Sequence, residues 1–210
     1  MSEKVNTQQI NQLLSRTDNG KLLLPREREF ILSVALQLSS GKRKELSYSQ
    51  AQWFSTIDMK YSADSLQEEK DWQDNYSDEL IQNTTRMAQY YVSNPPYFSD
   101  YVLKLLDNNG KPTGHRLTRR EYRKLCEGKY AKRVLAQYES EPRFSVGQTV
   151  QFRKAHRGVL RRLSNAPAVV LAAHYKPIVH ARQGAIPYKV LPFGDAQPVE
   201  VTERDLKSYK

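Results

Sequence analysis

Cysteine is almost missing from this chain. Cys126 is the single one in 210 residues, so no internal disulfide can form, and a reducing compartment fits best. No apolar run approaches the length needed to cross a bilayer. The opening Met1-Ser2-Glu3-Lys4-Val5-Asn6 has neither the apolar core nor the small-residue cleavage site of a secretory signal. A soluble, cytoplasmic protein with no membrane partner is expected.

Histidine is scarce too. His115, His156, His174 and His180 show no HExxH spacing, and a lone cysteine excludes CxxC. Neither GxGxxG nor GxxxxGK[ST] occurs, which removes the common phosphate-cradling loops. Cys126 shares a helical face with Tyr122 and Leu125, the position of a core thiol rather than a nucleophile. No catalytic residue, metal site or cofactor is therefore assigned, and a non-enzyme is expected. Asp64 to Glu79 is acidic, but without a nearby histidine or a calcium-loop glycine it reads as a solvated helix or connector.

What the chain has in abundance is positive charge in one place. Residues 1–110 hold twelve Lys/Arg and fifteen Asp/Glu, whereas residues 111–210 hold twenty-one and eight. Between Lys111 and Arg162 alone, fifteen cations face four acids. Clustered Lys and Arg attract polyphosphate backbones, because each neutralised phosphate releases condensed counterions whatever the base sequence.

Hydrophobic spacing predicts helices through the first two thirds. Thr7 to Arg16 carries Ile10, Leu13 and Leu14 on one face behind a Thr cap. Pro25 opens a second helix bearing Phe30, Ile31, Val34 and Leu38, with Gly41 as its stop. Ser47-x-x-Gln50 is a capping box ahead of Ala51, Phe54 and Ile57, with Trp53 at the edge. A further helix carries Leu80, Ile81, Met87, Ala88, Tyr91 and Val92 until Asn94-Pro95-Pro96 breaks it. Tyr97 to Leu106 follows as a short helix.

Thr118-Arg119-Arg120-Glu121 is another capping box. It sets Tyr122, Leu125 and Cys126 on one side and Arg119, Arg120, Arg123 and Lys124 on the other. Gly128 is expected to be a left-handed stop, after which Tyr130, Val134 and Tyr138 face inward and Lys129 and Lys132 outward. Tyrosines at helical spacing belong to the core. The alternative use of the thirteen tyrosines is as stacking faces for single-stranded bases.

Past Pro142 the period becomes strand-like. Strands are expected over 144–152, Ala168 to Tyr175, a hairpin of Ile178 to Arg182 with Tyr188 to Leu191, and Val199 to Val201. The expected fold class is α+β, with an α-helical region over 1–141 and a small SH3-like β-barrel over 142–210. Val146-Gly147 with Val150 and Phe152, and the closing Val199-Glu200-Val201-Thr202-Glu203-Arg204-Asp205-Leu206, resemble SH3-like barrels of the KOW and Tudor type. The glycine-rich turn of the KOW pattern is replaced here by 154–162. Phe30, Ser33, Gly41, Leu46-Ser47, Gln50 and Trp53 resemble a helical hairpin of small tailed-phage accessory proteins; for a viral source the compartment is the host cytoplasm.

Two groups of cations are candidates for phosphate contact. On the helices they are Arg119, Arg120, Arg123, Lys124 and Lys132. The resemblance to SH3-like barrels implies that the long loop after the first strand lines a ligand groove, and here it carries Lys154, His156, Arg157, Arg161 and Arg162. The expected partner is nucleic acid, DNA ahead of RNA, read with little sequence preference. The alternative is a protein-interaction or virion-structural module whose arginines meet an acidic protein surface. In either case the acidic N-terminal helices would serve a protein partner or self-association.

Overall fold

The computed structural model describes residues 5–41, 45–154 and 159–209. Among these, eight α-helices precede a five-stranded antiparallel sheet, so the fold is α+β. Packing divides the chain into two compact units, Met1–Asn75 and Tyr76–Lys210.

The first unit is built from α1 (Thr7–Arg16), α2 (Pro25–Ser39), α3 (Tyr48–Lys60) and α4 (Ala63–Asp74). Asn6, rather than a threonine, caps α1, its side chain accepting the Gln9 N–H at 2.9 Å. Pro25 opens α2 and the Ser47–Gln50 capping box opens α3, because both signals act on the first turn alone. Ile10, Leu13, Ile31, Val34, Phe54 and Ile57 fill the core, with Trp53 stacked on Phe30 at its rim. Glu27 ties α2 to the end of α3, accepting from Lys60 Nζ at 2.8 Å and Tyr61 Oη at 2.7 Å. Helix α4 buries no residue completely, and the acidic stretch is interrupted after Asp74. Among the described residues, no group of three or more His, Cys, Asp or Glu is placed to hold a metal ion.

In the second unit, α5 (Asp78–Val92) packs against α6 (Ser99–Leu105), α7 (Arg119–Cys126) and α8 (Lys129–Glu139). The strands are β1 (Thr149–Phe152), β2 (Pro167–Ala173), β3 (Pro187–Pro192), β4 (Val199–Thr202) and β5 (Leu206–Ser208), in the order β4-β3-β2-β1-β5. After a four-strand meander the chain passes a one-turn 3-10 helix, Glu203–Asp205, and returns to pair β5 with β1. Inward residues alternate along each strand, so that Val150 lies opposite Ala168 and Phe152 opposite Leu206. With Phe144, Val170, Tyr188 and Val190 they make one core. Burial, aided by the Glu203 carboxylate, pushes the Tyr188 phenol up to about 12, and its oxygen accepts the Phe144 N–H at 3.1 Å.

Two sequence expectations are corrected here. The first strand begins only at Thr149, because Gly147 sits at φ +83° and turns the chain, donating its N–H to Val170 O at 2.8 Å. The hairpin between 178–182 and 188–191 does not form: β3 pairs with β2 and β4 instead. Residues 178–185 use their backbone on α8. Ile178 N–H donates to Tyr138 Oη at 2.9 Å, Ala185 N–H donates to Gln137 Oε1 at 2.9 Å, and Gln137 Nε2 donates to His180 O at 3.3 Å. The pattern changes at 141/142, whereas the division by packing falls after Asn75, with helices α5 to α8 in the same unit as the sheet. Gly184 serves the same loop: at φ +72°, an added Cβ would lie 3.4 Å from Arg204 Cβ. No helix among the described residues is long and apolar enough to cross a membrane.

Candidate nucleic-acid interface

The capping box at the start of α7 orients its basic face. Glu121 Oε2 accepts Thr118 N–H at 3.0 Å, Thr118 Oγ1 accepts Glu121 N–H at 3.2 Å, and Lys104 Nζ donates to Glu121 Oε1 at 3.0 Å. Partial burial pushes the Glu121 carboxyl up, but these bonds outweigh it and hold the group below its ordinary value. This acid is therefore ionised and already committed. Tyr122, Leu125 and Cys126 are buried as the spacing predicted, leaving Arg119, Arg120, Arg123 and Lys124 exposed on the opposite side.

Helix electrostatics account for only part of this set. Arg123 and Lys124 lie in the last turn, where the negative end of the dipole favours cations, and Arg123 Nε also reaches Glu127 at 3.9 Å. Arg119 and Arg120 open the helix at its positive end, where a cation is disfavoured by roughly 0.3–1 kcal/mol. Helix α8 repeats the pattern: Lys129 stands in a first turn that contains no acid, and Lys132 follows on the exposed side.

Two expectations about α8 are corrected. Gly128 is extended, at φ −66° and ψ 157°, and is the N-cap of α8 rather than a left-handed stop. Glu127 already ends α7 through its N–H bond to Arg123 O at 3.1 Å, which leaves Gly128 to begin the next helix. Tyr130 is 64% exposed, and the buried positions are Ala131, Val134 and Leu135. Successive steps of four drift by about 40° on a helix of 3.6 residues per turn. The face through 131, 134, 135 and 138 therefore closes against the unit, and Tyr130 is turned out.

The loop group lies between β1 and β2. Leu160 and Leu163 pack on the barrel core, and Val159–Arg161 is a single 3-10 turn, so Arg161 and Arg162 are held outward. Asn165, at φ +60°, closes the loop through its N–H bond to Phe152 O at 3.2 Å. Lys154 is exposed at the start of the loop. His156 and Arg157 lie outside the described residues. Packing joins α7 to α5 and α8, whereas the loop is braced by β1 and β5, so the structure places the predicted residues in two groups.

Comparison with protein-family models, with curated proteins and with solved structures finds no match.

Cys126 is free and buried. Burial, with a smaller push from Glu127, raises its thiol to about 12, so it is protonated at neutral pH. Sequence spacing missed one feature of this surface. Tyr90, Tyr91, Tyr97, Phe98 and Tyr130 line a cavity of 430 Å³. The available signal was the density of aromatics on either side of Asn94-Pro95-Pro96, joined to Tyr130 only by the fold.

Proposed function

We propose that the chain is a non-catalytic nucleic-acid-binding protein, largely indifferent to sequence, that engages DNA ahead of RNA through its second unit. The observation that carries this reading is the basic face of α7, where Arg119, Arg120, Arg123 and Lys124 are all exposed opposite the buried Tyr122, Leu125 and Cys126, two of them at the helix end that disfavours cations. A phosphate backbone offsets that cost by releasing counterions, and guanidinium forks suit phosphate oxygens. Lys124, Lys132, Lys154, Arg161 and Arg162 extend the positive surface, and the unit from Tyr76 to Lys210 carries twenty-three Lys/Arg against twelve acids. The KOW and Tudor likeness of the barrel is consistent with a binding role.

Fluorescence anisotropy with labelled duplex and single-stranded DNA at two salt concentrations tests the reading. Affinity is expected to fall steeply as salt rises, alike for unrelated sequences. Absence of binding at low salt would sink it.

A second reading concerns the first unit. Leu22, Leu24, Leu32 and Leu36 are between 49% and 70% exposed, an apolar set that fits a protein partner or self-association. Sedimentation of the full chain at rising concentration tests self-association; a constant monomer mass rejects it.

A further inference from the structure

Resting on the nucleic-acid reading above, we infer that the cavity lined by Tyr90, Tyr91, Tyr97, Phe98 and Tyr130 is a stacking site for an unpaired base, so that the protein prefers single-stranded nucleic acid. Tyr97 and Tyr130 are 67% and 64% exposed, far more than side chains filling a core. The rings behind them are ordered against one another. Tyr90 and Tyr91 meet edge to face with centroids 5.0 Å apart, and Tyr91 and Phe98 are tilted at 4.7 Å. Phe98 is held at φ +55°, a left-handed conformation that a bulky residue adopts only where its surroundings enforce it. Burial and then the neighbouring Tyr130 push the Tyr90 phenol up. The volume of 430 Å³ lies within the range of small-ligand pockets.

Charge decides between a base and an apolar peptide. Tyr130 is the second residue of α8, flanked on its side of the helix by exposed Lys129 and Arg133, which stand four apart. The first turn of α8 contains no acid, and Gly128 supplies no side-chain cap. A phosphate next to a stacked base would thus meet two cations and uncapped N–H groups. The Asn94 amide nitrogen donates to Tyr90 O at 2.8 Å and Val179 O at 3.1 Å, so its donors are engaged and the ring faces are the main surface the cavity offers a base. Stacking of that kind tolerates any base.

The test compares labelled oligo-dT with a duplex of equal length on the full chain, its Tyr97→Ala and Tyr130→Ala variants, and a Tyr130→Trp control. Each alanine variant is expected to lose about five- to one-hundred-fold in affinity for oligo-dT, with duplex affinity and its salt slope unchanged. Tyr130→Trp, which keeps a stacking face, should retain binding, and circular dichroism should show the helices intact in all three. Unchanged oligo-dT affinity in both alanine variants, alongside intact duplex binding, overturns the stacking site and spares the wider reading. Failure of the wild-type chain to bind either nucleic acid overturns both, whereas a proline-rich peptide that occupied the cavity while oligo-dT did not overturns the stacking site alone.

Discussion

Replacing Tyr138 with Phe removes one oxygen and leaves the ring where it is. That oxygen accepts the Ile178 N–H at 2.9 Å, and Ile178 is fully buried. The ring contacts should persist, since Arg86 Cζ lies 4.7 Å from its centroid and the His174 ring 6.3 Å away. The loss is therefore that of a buried donor left without an acceptor, which costs about 1–3 kcal/mol. For a unit of the size of Tyr76–Lys210, a kcal/mol is worth roughly 3–5 °C, so the melting temperature should fall by about 3–15 °C. Thermal circular dichroism of the full chain gives the size, and amide hydrogen exchange gives the place, because the Ile178 amide should exchange faster in the variant. A variant with unchanged melting temperature and an Ile178 amide as protected as before would refute the docking of α8 on the loop before β3. A fragment from 142 onward would lose the Gln137 and Tyr138 partners of that loop.

Other expectations follow from single side chains. Cys126→Ser should keep nucleic-acid binding while losing about 1–3 kcal/mol in denaturant melts, because it buries a hydroxyl in an apolar site. Loss of binding at unchanged stability would reveal a chemical role for the thiol. In the native chain that thiol, raised to about 12, should react with thiol reagents only as fast as the unit opens. At Glu27, partial burial pushes the carboxyl up, but Lys60, Tyr61 and the Leu24 N–H together hold it below its ordinary value. A depressed acid contributes stability above its unfolded pKa and loses it as pH falls through the folded one. Glu27→Gln should therefore lower stability at neutral pH and flatten the acid side of the stability profile; parallel profiles for wild type and variant would contradict this.

Signals confined to one turn were legible in the sequence. Ser47–Gln50 and Thr118–Glu121 form capping boxes where their spacing placed them, Pro25 starts its helix, and Tyr122, Leu125 and Cys126 are buried together. The alternation of Val150 with Phe152 and of Tyr188 with Val190 gave the barrel its core. What could not be read was the use of polar groups across distance. Gln137 and Tyr138 meet backbone more than forty residues away, or at forty, and those bonds replace the hairpin that 178–182 would otherwise make. Tyr130 illustrates the limit for the site. A tyrosine suits core and surface alike, and only the close approach of α5 to α8 selects Ala131, Val134 and Leu135 as the inward face. The outward cations of α7 were legible because an amphipathic helix has two faces; the aromatic cavity was not, because α8 completes it from outside the segment that holds its other rings.

The salt dependence of duplex DNA binding tests the central claim most directly, measured for the full chain and two variants. One variant replaces Arg119, Arg120, Arg123 and Lys124 with Ala; the other replaces Lys154, Arg161 and Arg162. Each phosphate contact removed should flatten the slope of log affinity against log salt by about 0.9, so the expected changes are roughly 3.6 and 2.7. Affinity should drop by a similar factor for unrelated sequences, with the helical content unchanged. Slopes indistinguishable from that of the full chain in both variants would contradict the assignment of these cations to phosphate.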